Sequence, residues 1–198
     1  VLEIPPFSVH TKGTTPLQAP QRFALDVRVP PVAVRALPKG MLAMKVPPSG
    51  GIFQADIAMA GLLDNWRAAK LKGRAAVKQA SFKLDGLTDP VEDLNLDVSF
   101  EDDRIEIERG TVKIKDSRIN AKGTIRGWRG IPLLQMAFDS PGLDLELLIP
   151  EGARSPVRTA LETIVRGAKL TATAAVRNGV YHGVLFDEIR ATVSGGED

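Results

Sequence analysis

The sequence predicts a mainly β fold: a curved antiparallel meander sheet with one short amphipathic helix. Three observations predict it. Apolar and polar residues alternate strictly through many short runs, which is the period of a half-buried strand. Polar turns between the central runs are too short to hold a helical crossover, so those strands run antiparallel. Only one segment switches to helical spacing.

Taken in order, Phe23, Leu25, Val27 and Val29 alternate with Asp26 and Arg28. Phe53, Ala55, Ile57 and Met59 follow a turn at Ser49-Gly50-Gly51, and Leu71, Ala75 and Val77 lead to Phe82 and Leu84 before Asp85-Gly86. In LNLDVSF, Leu94, Leu96, Val98 and Phe100 share one face while Asn95, Asp97 and Ser99 share the other. Beyond the EDDR turn, Ile105 and Ile107 alternate with Glu106 and Glu108. Val112 and Ile114 then alternate with Lys113 and Lys115, and Ile119, Ala121 and Ile125 follow. Leu143, Leu145 and Leu147 alternate with Asp144 and Glu146, and the last residues read as strands around an Asn178-Gly179 type I′ hairpin. About a dozen strands result from these rules.

The exception is SPVRTALETIVRG. Ser155 is an N-cap, Pro156 suits the first helical position, and Val157, Ala160, Leu161, Ile164 and Val165 make one stripe before Gly167, giving a helix near 155–167. Docking on the sheet is the expected fate of that stripe, although Arg154, Arg158 and Arg166 would also suit an anionic lipid surface. Pro30-Pro31 and Pro47-Pro48 belong at strand ends or edges, since proline cannot donate to a ladder. No linker divides the chain, so residues 1–198 are expected to be a single β-rich segment. The chain begins at Val1 without Met, and we expect it to be part of a longer protein.

Composition narrows the function. Apolar residues make up 43% and aromatic residues 5%, so the interior is aliphatic, with few rings to stack on bases or sugars. A net charge of +2 arises from nearly matched acids and bases, which disfavours a nucleic-acid partner despite a pI near 9.0. Without cysteine there is no thiolate nucleophile, disulfide or Cys-ligated zinc. A dozen strands, each with an aliphatic face, cannot stay flat and bare. Every exposed Leu, Ile or Phe forgoes roughly 1.5–3 kcal/mol of burial. Such a sheet must double into a sandwich, close into a barrel, or curl into a groove whose apolar floor takes a ligand.

The stretch from Ala69 to Trp128 (AKLKGRAAVKQASFKLDGLTDPVEDLNLDVSFEDDRIEIERGTVKIKDSRINAKGTIRGW) resembles the AsmA-like family. It has a small-residue strand, a strand entry at SFKLDGLTDPVEDLNLDVSF, a polar turn, and a strand with placed glycine at SRINAKGTIRG. The ending LTATAAVRNGVYHGVLFDEIRATVSGG is similar to the family's closing hairpins, with Gly183 before the last strand. The resemblance covers Leu71 to Ile131 and Lys169 to Gly196; the first 50 residues match less clearly. It implies membership of the superfamily of AsmA, TamB and YhdP, envelope proteins of Gram-negative bacteria anchored in the inner membrane. Their repeated β modules curl into a β-taco-like groove, a periplasmic trough that conducts phospholipids towards the outer membrane and serves outer-membrane biogenesis. Residues 1–198 would, by this resemblance, be a single β-groove segment of a longer envelope protein. On that resemblance the partners are phospholipids, the two membranes reached through the full-length protein, and other envelope proteins. No catalytic residue and no cofactor is implied.

The lipid-lining residues would be Leu94, Leu96, Val98, Phe100, Ile105, Ile107, Val112, Ile114, Ile119 and Ile125, because acyl chains need dispersion contact and no hydrogen-bond donors. Competing chemistry is thin. His10 and His182 are far apart and lack metal-ligand spacing, and Ser140 and Ser155 lie beside prolines without a nucleophile elbow. Glu101-Asp102-Asp103 has the form of a solvated hairpin turn and lacks the calcium-loop pattern. Trp128 and Arg129 in GWRG form a packed turn or a ligand rim. An enzyme is therefore not expected. The chief alternative is a closed β-sandwich serving as a binding or assembly module; a hydrolase would need convergent carboxylates, and a lipopolysaccharide-bridge jellyroll would differ in ligand.

Overall fold

The computed structural model describes residues 2–4, 7–14, 22–37, 49–83, 89–147 and 168–195. They form one sheet whose strands lie in chain order: β1 (Leu2–Ile4), β2 (Phe7–Thr14), β3 (Arg22–Ala33), β4 (Gly50–Leu62), β5 (Lys70–Phe82) and β6 (Val91–Glu101), then β7 (Arg104–Ile114), β8 (Ser117–Arg126), β9 (Leu133–Asp144), β10 (Lys169–Tyr181) and β11 (Val184–Gly195). The sheet does not close, since β1 and β11 end the order and do not pair with each other. Substantial contacts between strands run only between neighbours. Among the described residues there is therefore one layer and no second sheet to make a sandwich.

Local sequence explains the tightest connections. Two-residue turns at Asp102-Asp103, Lys115-Asp116 and His182-Gly183 each begin with a residue at positive φ (50°, 53° and 49°). At the last turn Gly183 is also positive, at 73°, which a tight hairpin needs to match the strand twist. The final hairpin therefore turns four residues later than Asn178-Gly179, which lies inside β10. Asn178 still takes positive φ there, at 53°, and its Nδ2 donates to the carbonyl of Pro141, 3.2 Å away, as a kink within a strand.

Two further expectations need correction. β9 and β10 run parallel, from Lys169 beside Leu133 to Val180 beside Asp144, so the meander is antiparallel at every pair but this one. A parallel pair requires a long crossover, and residues 145–168 supply the length. Leu145–Leu147 is not strand but a 3₁₀ turn at the start of that connection. The expected helix near 155–167 lies outside the described residues, as do Leu84, Asp85-Gly86 and Pro47-Pro48.

Register shifts bend the strands. They fall between Val29 and Val32 in β3, between Val77 and Ala80 in β5, between Glu92 and Asn95 in β6, between Ile107 and Gly110 in β7, and beside Arg118 in β8. Bulges kink a strand and increase its twist, so shifts in so many adjacent strands curve the sheet as a whole. Pro30-Pro31 occupies the β3 shift, where a missing donor breaks no regular ladder.

Candidate functional site

Pairing register decides which side chains share a face, because directly opposed residues lie on the same side of the sheet. Three rows cross from β3 to β11 without interruption. The first runs Val27, Ile57, Gly73, Phe100, Ile105, Ile125, Leu134, Leu170, Gly195. The second runs Val29, Ala55, Ala75, Val98, Ile107, Gly123, Met136, Ala172, Val193, and the third Val32, Phe53, Val77, Leu96, Gly110, Ala121, Phe138, Ala174, Ala191. No row contains a polar side chain. At about 4.8 Å per strand, the apolar face is roughly 40 Å wide across these nine strands.

All ten residues expected to line a lipid path stand on this face. Phe100, Ile105, Ile125, Val98, Ile107 and Leu96 belong to the three rows. Leu94 opposes Ala80, Val112 opposes Ile119, and Ile114 opposes Val91, extending the face towards the far strand ends. Ile114 is buried at 6% exposure and packs with Val91, Phe82 and Val112; the other nine are half-buried. The face is thus neither a dry core nor bare to solvent. A second cluster, Val29 and Ala55 with Val27, Val32, Phe53 and Ile57, packs on its other flank.

The opposite face is charged. Its row through Arg28, Asp56, Arg74, Ser99, Glu106, Thr124, Gln135, Thr171 and Ser194 alternates in sign and then becomes neutral and polar. Ion pairs link Arg28 to Asp56 at 3.3 Å, Lys78 to Asp97 at 2.5 Å and Arg104 to Glu106 at 2.9 Å. Exposed pairs of this kind add little stability, up to about 1 kcal/mol each. A shallow concavity of about 500 Å³ has Arg28, Asp56, Arg74, Asp97 and Glu108 on its walls, but Arg28 pairs with Asp56, Arg74 with Glu108, and Asp97 with Lys78 outside it.

One end of the sheet is laced by loops. Gly127 donates to the backbone carbonyl of Asp103, Trp128 Nε1 donates to the carbonyl of Asp102 at 3.2 Å, and Arg129 donates to the carbonyl of Ala69. The Arg129 guanidinium also lies 4.8 Å from the centre of the Trp128 ring. GWRG is therefore a hydrogen-bonded turn, with Trp128 exposed, that ties the β8–β9 connection across the β6–β7 turn to the start of β5.

The residues weighed for chemistry are not brought together. Ser140 lies inside β9, buried at 2%, with Oγ 2.7 Å and 2.8 Å from the carbonyls of Arg118 and Gly142, so its place is structural. His182 sits in the last turn, with Nδ1 3.6 Å from Glu146 Oε1. His10 falls in β2, and Ser155 is outside the described residues. Asp102 and Asp103 form the hairpin turn read from the sequence.

The sequence reading of the path omitted what β9 and β10 add. Leu134, Met136 and Phe138 alternate as regularly as the central strands, but Ala137 on their polar side blurs the contrast. No protein-family model, curated protein or solved structure matches the chain.

Proposed function

We propose that the apolar face is a path for phospholipid acyl chains and that the chain is the hydrophobic-groove module of a periplasmic protein, anchored to the inner membrane, that conducts phospholipids between inner and outer membranes. One observation carries the reading: three parallel rows of aliphatic, aromatic and glycine positions cross nine strands with no hydrogen-bonding side chain among them. Contiguous apolar surface of this kind marks a site of interaction. Acyl chains make only dispersion contacts and lose nothing by lacking polar partners. Headgroups would stay in water beyond the strand ends. Movement along the face needs no chemistry, because successive positions are alike and each holds a chain weakly. The reading assigns no catalytic residue.

The test is mass spectrometry of lipid extracted from the protein purified under mild conditions. Phospholipid should accompany the native chain, and Ile107→Glu should remove most of it, because a carboxylate on an apolar path is costly to desolvate. Ile107 is half-buried, so the variant must retain the circular dichroism of the parent. A native chain free of lipid would favour a binding or assembly module of the cell envelope.

A further inference from the structure

One end of the sheet gathers exposed apolar side chains from connections far apart in sequence. Among the described residues the large exposed apolar side chains outside β11 are Ile52, Leu63, Trp66, Trp128, Ile131 and Leu133, and all but Ile52 lie at this end. Trp66 is 59% exposed in the β4–β5 connection, and Ile131 is 74% exposed in the β8–β9 connection. The chain has only two tryptophans, and the fold brings both here. Bonds from Gly127, Trp128 and Arg129 to the carbonyls of Asp103, Asp102 and Ala69 hold the two connections on either flank of the β6–β7 turn. The apolar side chains therefore sit on one braced rim.

The chemistry of the rim specifies what it meets. A tryptophan suits the boundary between water and acyl chains, where its ring leaves water while its N–H keeps a polar partner. Trp128 meets both conditions, because the Asp102 carbonyl accepts its Nε1–H and the Arg129 guanidinium lies against its ring. The strand ends and connections at this end carry seven arginines and lysines, from Arg22 to Lys169, against four acids, Asp64, Glu101, Asp102 and Asp103. Asp103 Oδ2 accepts the backbone N–H of Gly127 at 3.1 Å, so one of those carboxylates is engaged within the rim. The net positive charge favours anionic headgroups. Phe100, Ile105 and Ile125 of the first apolar row stand just inside the same connections, so apolar surface continues from the sheet face to its end. We propose that this end of the sheet docks on an anionic lipid bilayer, with Leu63, Trp66, Trp128 and Ile131 among the headgroups and the basic side chains on their phosphates. The contact belongs to the end of the sheet and holds whether or not the apolar face carries lipid.

Because both tryptophans lie on the rim, their fluorescence reports it alone. Vesicles of mixed phosphatidylcholine and phosphatidylglycerol should shift the emission to shorter wavelength and carry the chain down on sedimentation. Vesicles of phosphatidylcholine alone should bind it more weakly. Combining Leu63→Ser with Ile131→Ser should raise the lipid concentration for half-sedimentation at least about tenfold, since two aliphatic side chains no longer leave water. Combining Ile52→Ser with Leu185→Ser, which removes equally exposed apolar side chains at the other end, should leave binding unchanged. All four positions are exposed, so folding should be unaffected. Co-purified phospholipid, the readout of the lipid path, is measured separately, so either claim can fail alone. Tryptophan emission that vesicles do not shift, which would leave the rim to a protein partner, overturns the proposal. So do a Leu63/Ile131 variant that sediments like the native chain and equal losses from the two pairs of substitutions.

Discussion

Gly73 and Gly123 show how closely single residues constrain the apolar face. Each sits in a row where neighbouring strands carry large side chains, Phe100 beside Gly73 and Met136 beside Gly123. A Cβ at Gly73 would lie 2.7 Å from the Ile57 Cα and would collide with the Asp56 carbonyl oxygen, and the residue takes φ +154°. At Gly123 a Cβ would collide with the Gln135 carbonyl oxygen and come within 2.5 Å of the Met136 sulfur. Backbone blocks both positions and cannot move aside. Gly73→Ala and Gly123→Ala should therefore each destabilise the protein by about 1–3 kcal/mol, the usual range for overpacking. Urea denaturation of the two variants checks this, and a midpoint equal to the parent's would show that the glycine concerned is not pinched. Placed glycines were visible in the sequence, but which of them a neighbour's backbone approaches was not, because that depends on register.

For whole elements, alternation located nearly every central strand, and the short polar turns gave their antiparallel sense. Direction was legible only where a turn was short. Between β9 and β10 the period is the same whichever way the strands run, and the parallel sense follows from the long connection through 145–168. The last hairpin misled for a similar local reason. Asn-Gly is the stronger turn signal, but Asn178-Gly179 and His182-Gly183 compete, and pairing of Tyr181 with Val184 selects the second. The Asn178 kink lets the first remain in the strand. Gly183→Val should thus destabilise the protein by about 1–2 kcal/mol, since a residue with a Cβ pays that to occupy the left-handed region. Gly179→Ala should be milder: its nearest clash is the Val176 side chain at 3.4 Å. Thermal melts that rank the two the other way would return the turn to Asn178-Gly179.

For the whole molecule, the apolar face was half legible. The ten residues from Leu94 to Ile125 were all found by alternation, and they do share one side. Their continuation into Val27, Ile57, Leu134 and Leu170 appears only when register joins the strands. The closed sandwich, which the same alternation allowed, would have needed a second layer, whereas the described strands form one sheet and make substantial contact only with their neighbours. An open layer with one apolar and one charged side separates the two faces at adjacent residues along each strand, and this makes the central claim testable at single-residue resolution. Photo-crosslinkers at Val98 and Ile107, directly opposed on the apolar side, and at Asp97 and Glu106 on the charged side probe the same two strands. In cells making the full-length protein, capture of phospholipid from Val98 and Ile107 but not from Asp97 and Glu106 is the predicted result. Equal capture from both faces, or none from either while the protein is active, would contradict the lipid path.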